Sequence, residues 1–343
     1  MEDWMENARM IVDSARAIVP ADGDLGRIRA ARGKGIDRAM VAQAGELGLF
    51  LMRVPEEAGG LALGMRETCA LMQALGGGLA PEPIGSTIMA AALLGEAFPE
   101  EAASGALVMV TAWQDDAASL QFEGGAVGGR LNGTKIAVPG DADLFAILTE
   151  AGVAVVPRDA PGVTIAEADT LDGGRIATLH LHNVTADLLP CPQAASVVQD
   201  MVLAHSAYLL GLSDRAFRIT LDYLKVREQF GRPIGSFQAL QHRATEIKIR
   251  IELLRAAIMA TAARFDTGAD AAARARDTDR CKLRAAETAM LVAREAVQMH
   301  GAMGITDEAD IGLFVRRAMT DANLFGAPMA VRARLARTLE DAV

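Results

Sequence analysis

Cysteine is scarce in this chain: three residues, Cys69, Cys191 and Cys281, among 343. They lie far apart and form no C-x-x-C pair, which argues against a disulfide framework and a zinc cage and for buried, chemically idle thiols. Basic charge is short as well. Lysine and arginine total 34 against 44 aspartates and glutamates, giving a net charge of -10 and a pI near 5.1. Gripping a phosphate backbone needs a dense basic face, so no nucleic-acid partner is expected. The apolar stretch from Ile84 to Leu94 falls short of a bilayer span, and Glu2 and Asp3 stand where a secretion signal would be basic. A cytoplasmic protein with no membrane contact is the expectation. Internal repeats and low-complexity tracts are also missing.

What is present is ordinary globular material, 51% hydrophobic and 23% charged, long enough for two or three compact units. Trp4, Met5, Ala8, Ile11, Val12, Ala15, Ile18 and Val19 recur at helical spacing, and Pro20 ends the run. Further helical runs cover about 36–50, 65–76 and 84–97, divided by Pro55, Gly59-Gly60 and the cluster from Gly76 to Pro83. From Leu107 the texture changes to short Val, Ile, Leu and Thr runs. Gly124-Gly125, Gly128-Gly129, Asn132-Gly133, Pro161-Gly162 and Gly173-Gly174 punctuate them as turn signals. After Pro190 and Pro192 the helical period returns at roughly 194–226, 237–267, 270–300 and 310–324, with a last helix from about 328. The reading is a mainly α protein: an N-terminal helical domain (1–104), a small middle β domain (105–190) and a C-terminal helical bundle (191–343). His180 and His182 would share one strand face and could in principle hold a metal, with no further ligand marked nearby.

Several strings then carry a resemblance. Glu46-Leu47-Gly48-Leu49-Phe50 with Val54-Pro55-Glu56-Glu57 and Gly59-Gly60-Leu61, then Leu131-Asn132-Gly133-Thr134-Lys135, are similar to stretches of the acyl-CoA dehydrogenase family. So are Arg227-Glu228-Gln229-Phe230-Gly231 with Pro233-Ile234, Phe237-Gln238 and Gln241, and the run from Ala296 to Gly304. The resemblance covers nearly the whole chain. It implies an FAD site shared between subunits, with Arg227, Gln229, Phe230, Gln238, Gln298, Gly301 and Ala302 reaching a neighbour's cofactor. Those residues are chemically suited to a dinucleotide. A guanidinium forks two N–H groups onto a pyrophosphate, amides serve hydroxyls and adenine edges, and Gly301 and Gly304 admit close backbone approach. Singly, each has a plainer reading: a surface ion pair, a solvated helix residue, a helix stop.

The family's reaction removes an α proton from an acyl thioester while a hydride leaves the β carbon, so a carboxylate must take the proton. At the position the resemblance assigns to that glutamate stands Phe325, in Leu324-Phe325-Gly326-Ala327. At the alternative base position on an earlier helix stands Met201. Asp200 and Asp321 are the stand-ins, both expected on solvated helix surface. The family's flavin-supporting loop corresponds to Thr111-Ala112-Trp113-Gln114-Asp115-Asp116 and its flavin-facing strand to Ile136-Ala137-Val138, and little of either pattern survives. The resemblance therefore implies a subunit without its own base, paired in an α2β2 heterotetramer with a homologous catalytic subunit. Members of that kind act on steroid side-chain CoA thioesters in bacteria, and an electron-transfer flavoprotein or similar acceptor would take the electrons. Three alternatives remain open: a homomeric dehydrogenase with a relocated carboxylate, a non-catalytic scaffold, and a flavin monooxygenase of similar fold.

Overall fold

The computed structural model describes residues 3–19, 25–117, 120, 125–127 and 129–340. Glu2, Pro20, Gly124 and Gly128, used above, lie outside these. The N-terminal part comprises α1 (Asp3–Ile18), α2 (Gly26–Ala31), α3 (Arg38–Glu46), α4 (Met65–Gly77), α5 (Ile84–Leu94) and α6 (Glu100–Ala103). Seven strands follow: β1 (Met109–Ala112), β2 (Gly125–Val127), β3 (Arg130–Pro139), β4 (Leu144–Thr149), β5 (Gly152–Pro157), β6 (Val163–Asp169) and β7 (Arg175–Thr185). They make two sheets, ordered β1-β4-β5 and β2-β3-β7-β6. The last part holds α7 (Ala194–Val226), a small hairpin of β8 (Glu228–Gln229) and β9 (Arg232–Pro233), then α8 (Gln238–Asp266), α9 (Ala271–His300), α10 (Ile311–Asp321) and α11 (Pro328–Glu340).

The helix boundaries fall close to the periodic runs, because their signals are local: Asp270 caps α9 through Ala273 N–H at 2.8 Å, and Pro328 occupies the first position of α11. Asn132-Gly133 is a correction. It lies inside β3 at a register shift against β7, so the pair makes an irregularity within a strand rather than a turn between strands.

The 33-residue α7 is the axis of the fold. It is the one helix among the described residues long and apolar enough to cross a membrane, and 78% of its apolar window is buried inside the molecule. Its buried hydroxyls are satisfied within the helix: Ser206, Ser213 and Thr220 donate to the carbonyls of Val202, Leu209 and Ala216 at 2.7–2.9 Å. It meets α4 through two glycines. A Cβ on Gly76 would stand 2.0 Å from the Tyr208 carbonyl oxygen, and one on Gly211 1.9 Å from that of Gln73. This contact brings the His205–Tyr208 segment of α7 against the loop before α5 and the β1 edge, where the candidate site lies.

Candidate functional site

The chain's own cleft sits between α5, the loop after β1, α7 and the turn after α10. Its inner chamber has a volume of about 120 Å³, walled by Trp113, His205, Tyr208 and Phe325 over Met72 and Met201. An outer chamber of about 170 Å³ adjoins it, sharing Glu82, Pro83, Ala137, Arg317 and Leu324.

Phe325 fills the position that the resemblance assigns to the base. It adopts a left-handed φ of 60°, stacks on Trp113 with centroids 5.9 Å apart and 11° between planes, and meets His205 edge-on at 4.9 Å. The loop carrying Trp113 is pinned from below by the buried Lys135, whose ammonium pairs with Asp115 at 2.7 Å and donates to the Trp113 carbonyl at 3.4 Å. Ala137 has φ 55° and lines both chambers.

Charge in the cleft is neutralised from within. Arg317 pairs with Asp172 at 2.8 Å and Asp321 at 2.9 Å. Burial opposes its charge as the largest single influence, but Asp321, Tyr208 and Asp172 together outweigh it and hold its pKa well above the usual value. Burial likewise pushes the Asp172 carboxyl upward, but Arg317 and the Thr170 hydroxyl together outweigh it, leaving a net downward shift. Glu82 is held by Arg27 at 2.7 Å. Burial lowers the His205 pKa to about 4, so the ring is neutral and its Nε2–H donates to the Asp321 carbonyl at 3.1 Å. Lys282, lowered by burial to about 8, donates to the Ala322 carbonyl at 2.8 Å and props the same turn.

Both stand-in carboxylates are corrected by these contacts. Asp321 is 2% exposed and locked by Arg317. Asp200 pairs with Arg53 at 2.7 Å and with Arg274, whose guanidinium also stacks on Phe265. Neither is solvated helix surface, and each is engaged by a guanidinium of this chain. Met201 faces the inner chamber, as its helix position implied.

The second set of residues gathers elsewhere, at the far end of the bundle. The Tyr223 ring stacks on His300 at 4.3 Å, and its hydroxyl donates to the His300 carbonyl at 3.3 Å. Arg227 follows one turn after Tyr223 and Gly301 directly follows His300, so this stack joins the two sequence segments. Between β8 and β9 a two-residue turn, Phe230-Gly231, has φ of 54° and 76°. Phe230 projects from it, 92% exposed, with its ring edge-on to Phe237 at 6.1 Å. Arg232 lies over the Phe237 ring at 4.2 Å. Arg227, Gln229, Gln238, Gln298, Gly301 and Ala302 are all exposed, and neither Arg227 nor Arg232 has an ion-pair partner among the described residues. The N-terminus of α8 beside them carries no side-chain cap, leaving N–H groups directed outward. Gly301 needs its positive φ of 60° with open space around it. Gly304 is different: a Cβ there would meet the Val297 carbonyl at 2.8 Å, so its role is internal packing rather than ligand approach.

The hairpin, the Tyr223–His300 stack and the Arg232–Phe237 pair escaped the sequence reading. Only the Phe230-Gly231 dipeptide before Pro233 hinted at the hairpin. His180 and His182 share an exposed strand face, with His180 bonded to Thr134 at 3.2 Å. Among the described residues no group of three His, Cys, Asp or Glu could hold a metal. All three cysteines are buried and free, as expected.

A helical, β and helical chain with an interior cleft and an exposed cationic edge defines a class, and comparison with known proteins places it. Sequence profiles of the acyl-CoA dehydrogenase N-terminal and C-terminal domains match residues 5–101 and 193–339. The chain is 29% identical over 335 residues to acyl-CoA dehydrogenase IpdE2 of Mycobacterium tuberculosis, covering 96% of each. It is 30% identical over 334 residues to acyl-CoA dehydrogenase FadE27 of the same organism, covering 89% of each. Among solved structures, the Tcur3481-Tcur3483 steroid ACAD G363A variant superposes with a TM-score of 0.88 at 27% identity, covering 99% of both chains. The chain belongs to the acyl-CoA dehydrogenase family.

The family's flavin tests the two regions differently. In the chain's own cleft the inner chamber is walled by the stacked Trp113 and Phe325 rings. The exposed edge does fit one side of a dinucleotide, offering unpaired guanidinium forks, amides and a bare ring.

Proposed function

We propose that this chain is a subunit of an FAD-dependent acyl-CoA dehydrogenase that lacks its own catalytic base. In this reading it serves α,β-desaturation only in an α2β2 complex with a homologous catalytic subunit. The carrying observation is the contrast between Phe325, packed into the cleft at the base position, and Phe230, 92% exposed beside an unpaired Arg227.

Toward the partner's cofactor, Arg227 forks onto the pyrophosphate, Gln229, Gln238 and Gln298 meet hydroxyl and adenine edges, and Phe230 covers an apolar face. Gly301 and Ala302 give backbone approach at the same edge. When bound, FAD, the cofactor seen in a solved complex of this fold, supplies the hydride acceptor. The proton-accepting carboxylate comes from the partner. A bulky polycyclic acyl-CoA is the proposed substrate, supported by the two-chain steroid enzyme to which this fold is similar. Electrons pass on to an electron-transfer flavoprotein or similar acceptor.

Co-expression with a catalytic family member, followed by counting flavin, tests the reading. Two FAD per four chains are expected, with this chain alone colourless and inactive. A lone chain that is stoichiometrically yellow and oxidises an acyl-CoA would overturn it in favour of a homomeric enzyme. Undiminished flavin in a complex carrying Arg227→Ala would favour a scaffold instead.

A further inference from the structure

Two helix ends supply the exposed edge, and a pair of rings ties them together. Arg227 ends α7: its N–H donates to the Tyr223 carbonyl at 2.9 Å, and its own carbonyl accepts from Ile234 at 2.8 Å as the hairpin returns. The return lies tight on the helix, since a Cβ on Gly235 would stand 2.9 Å from the Leu224 carbonyl oxygen. The Arg227 backbone is thus held by the last turn of α7, which also carries Tyr223.

Opposite, His300 closes α9. It is 7% exposed, and its Nδ1–H donates to the Ala296 carbonyl at 2.8 Å, which fixes the ring against its own helix. Gly301 turns the chain out at φ 60°, and Gly304 brings it back to where a Cβ would meet the His300 Cβ at 3.0 Å. The Tyr223 ring lies 20° from parallel with the His300 ring, and its hydroxyl reaches past it to the His300 carbonyl at 3.3 Å. Among the described residues no other hydrogen bond or ion pair runs between segments 223–238 and 298–305.

Neither ring offers a ligand a free polar group at this edge: His300 is buried, and the Tyr223 hydroxyl is engaged by a carbonyl of this chain. Their placement is what a cofactor would sense. Tyr223 stands one turn before Arg227 and His300 directly before Gly301, so a slide of either ring moves the guanidinium relative to the glycine turn. Groups that must meet one rigid ligand together tolerate errors of only ~0.5 Å.

We propose that Tyr223 and His300 are positioning residues for the partner's FAD: stacked, they set the spacing between Arg227 and the Gly301 turn without touching the cofactor. The inference rests on the proposed role of Arg227.

Flavin titration of the apo complex, followed by fluorescence, tests it. Tyr223→Leu should weaken FAD binding about tenfold, and Tyr223→Phe, which keeps the stack, should recover most of that loss. Adding Tyr223→Leu to Arg227→Ala should cost nothing beyond Arg227→Ala alone, because the ring acts through the guanidinium. Where Tyr223→Leu fails to fold, His300→Gln, expected to lose the same factor, decides. A lowered melting temperature with unchanged FAD affinity would mean a packing role only and overturn the proposal, as would losses that multiply in the double variant or a Tyr223→Phe as weak as Tyr223→Leu. Undiminished flavin in Arg227→Ala would overturn the proposed function itself, whereas flavin lost there but kept in Tyr223→Leu and His300→Gln would overturn only the positioning pair.

Discussion

Phe325 and Phe230 are both phenylalanines held at positive φ, 60° and 54°, where a bulky residue is strained. Phe325 offsets that strain inside the chain, through Trp113 on one side and His205 on the other. Phe230 finds only an edge-on neighbour and stands 92% in solvent. Their surroundings differ in the same sense. Around Phe325 every facing charge has an ion-pair partner, whereas beside Phe230 the guanidiniums of Arg227 and Arg232 have no ion-pair partner among the described residues, and Arg232 lies only over the Phe237 ring. A region whose interactions close internally adds to stability, and one whose interactions stay open keeps its groups available to solvent.

The widest separation between the regions should come from pH. His205 has its pKa lowered to about 4 from 6.5, so between those values the unfolded chain binds a proton that the folded chain refuses. Stability therefore falls as pH drops from 6.5 toward 4, by on the order of 3 kcal/mol. Denaturant titrations of His205→Gln across that window should show the slope flattened. An unchanged slope would mean the cleft is wetter than its packing implies.

Next in size is Arg227→Ala, which should weaken FAD retention in the complex by roughly 10–100-fold, the cost of a lost charge-assisted bond. Thermal stability of this subunit should stay within a degree or two. Phe325→Ala reverses the pattern. Removing a half-buried, stacked ring should destabilise the chain by about 2 kcal/mol in chemical denaturation and leave flavin content intact. Loss of flavin in that variant would break the comparison. Smallest is Phe230→Gly, which relieves the left-handed strain and should raise the chain's own stability by less than about 1 kcal/mol while loosening FAD in the complex.

Much of the fold was legible because its signals are local. Apolar spacing at 3.6 residues, Asp270 as a cap and Pro328 at a helix start fix the long bundle helices from a few neighbouring residues. The small β part was legible as strands but not as two sheets, since pairing joins residues distant in sequence, such as Arg130 with Thr185. At the site, the absence of a carboxylate at Phe325 could be read directly, as could the exposed set around Arg227. The state of Asp200 and Asp321 could not. Each lies on a helix that also bears polar residues, and only packing brings Arg53 and Arg274 to one and Arg317 to the other.

By itself, then, the sequence determined which groups are available: a phenyl ring at the turn after α10, and a guanidinium, amides and glycines at the ends of α7 and α9. Tertiary structure decided which of them are still free to act. Ion pairing and aromatic stacking depend on distances of a few ångströms between segments far apart in the chain. The crossing at Gly76 and Gly211 and the Tyr223–His300 stack set those distances, closing one region on itself and leaving the other open.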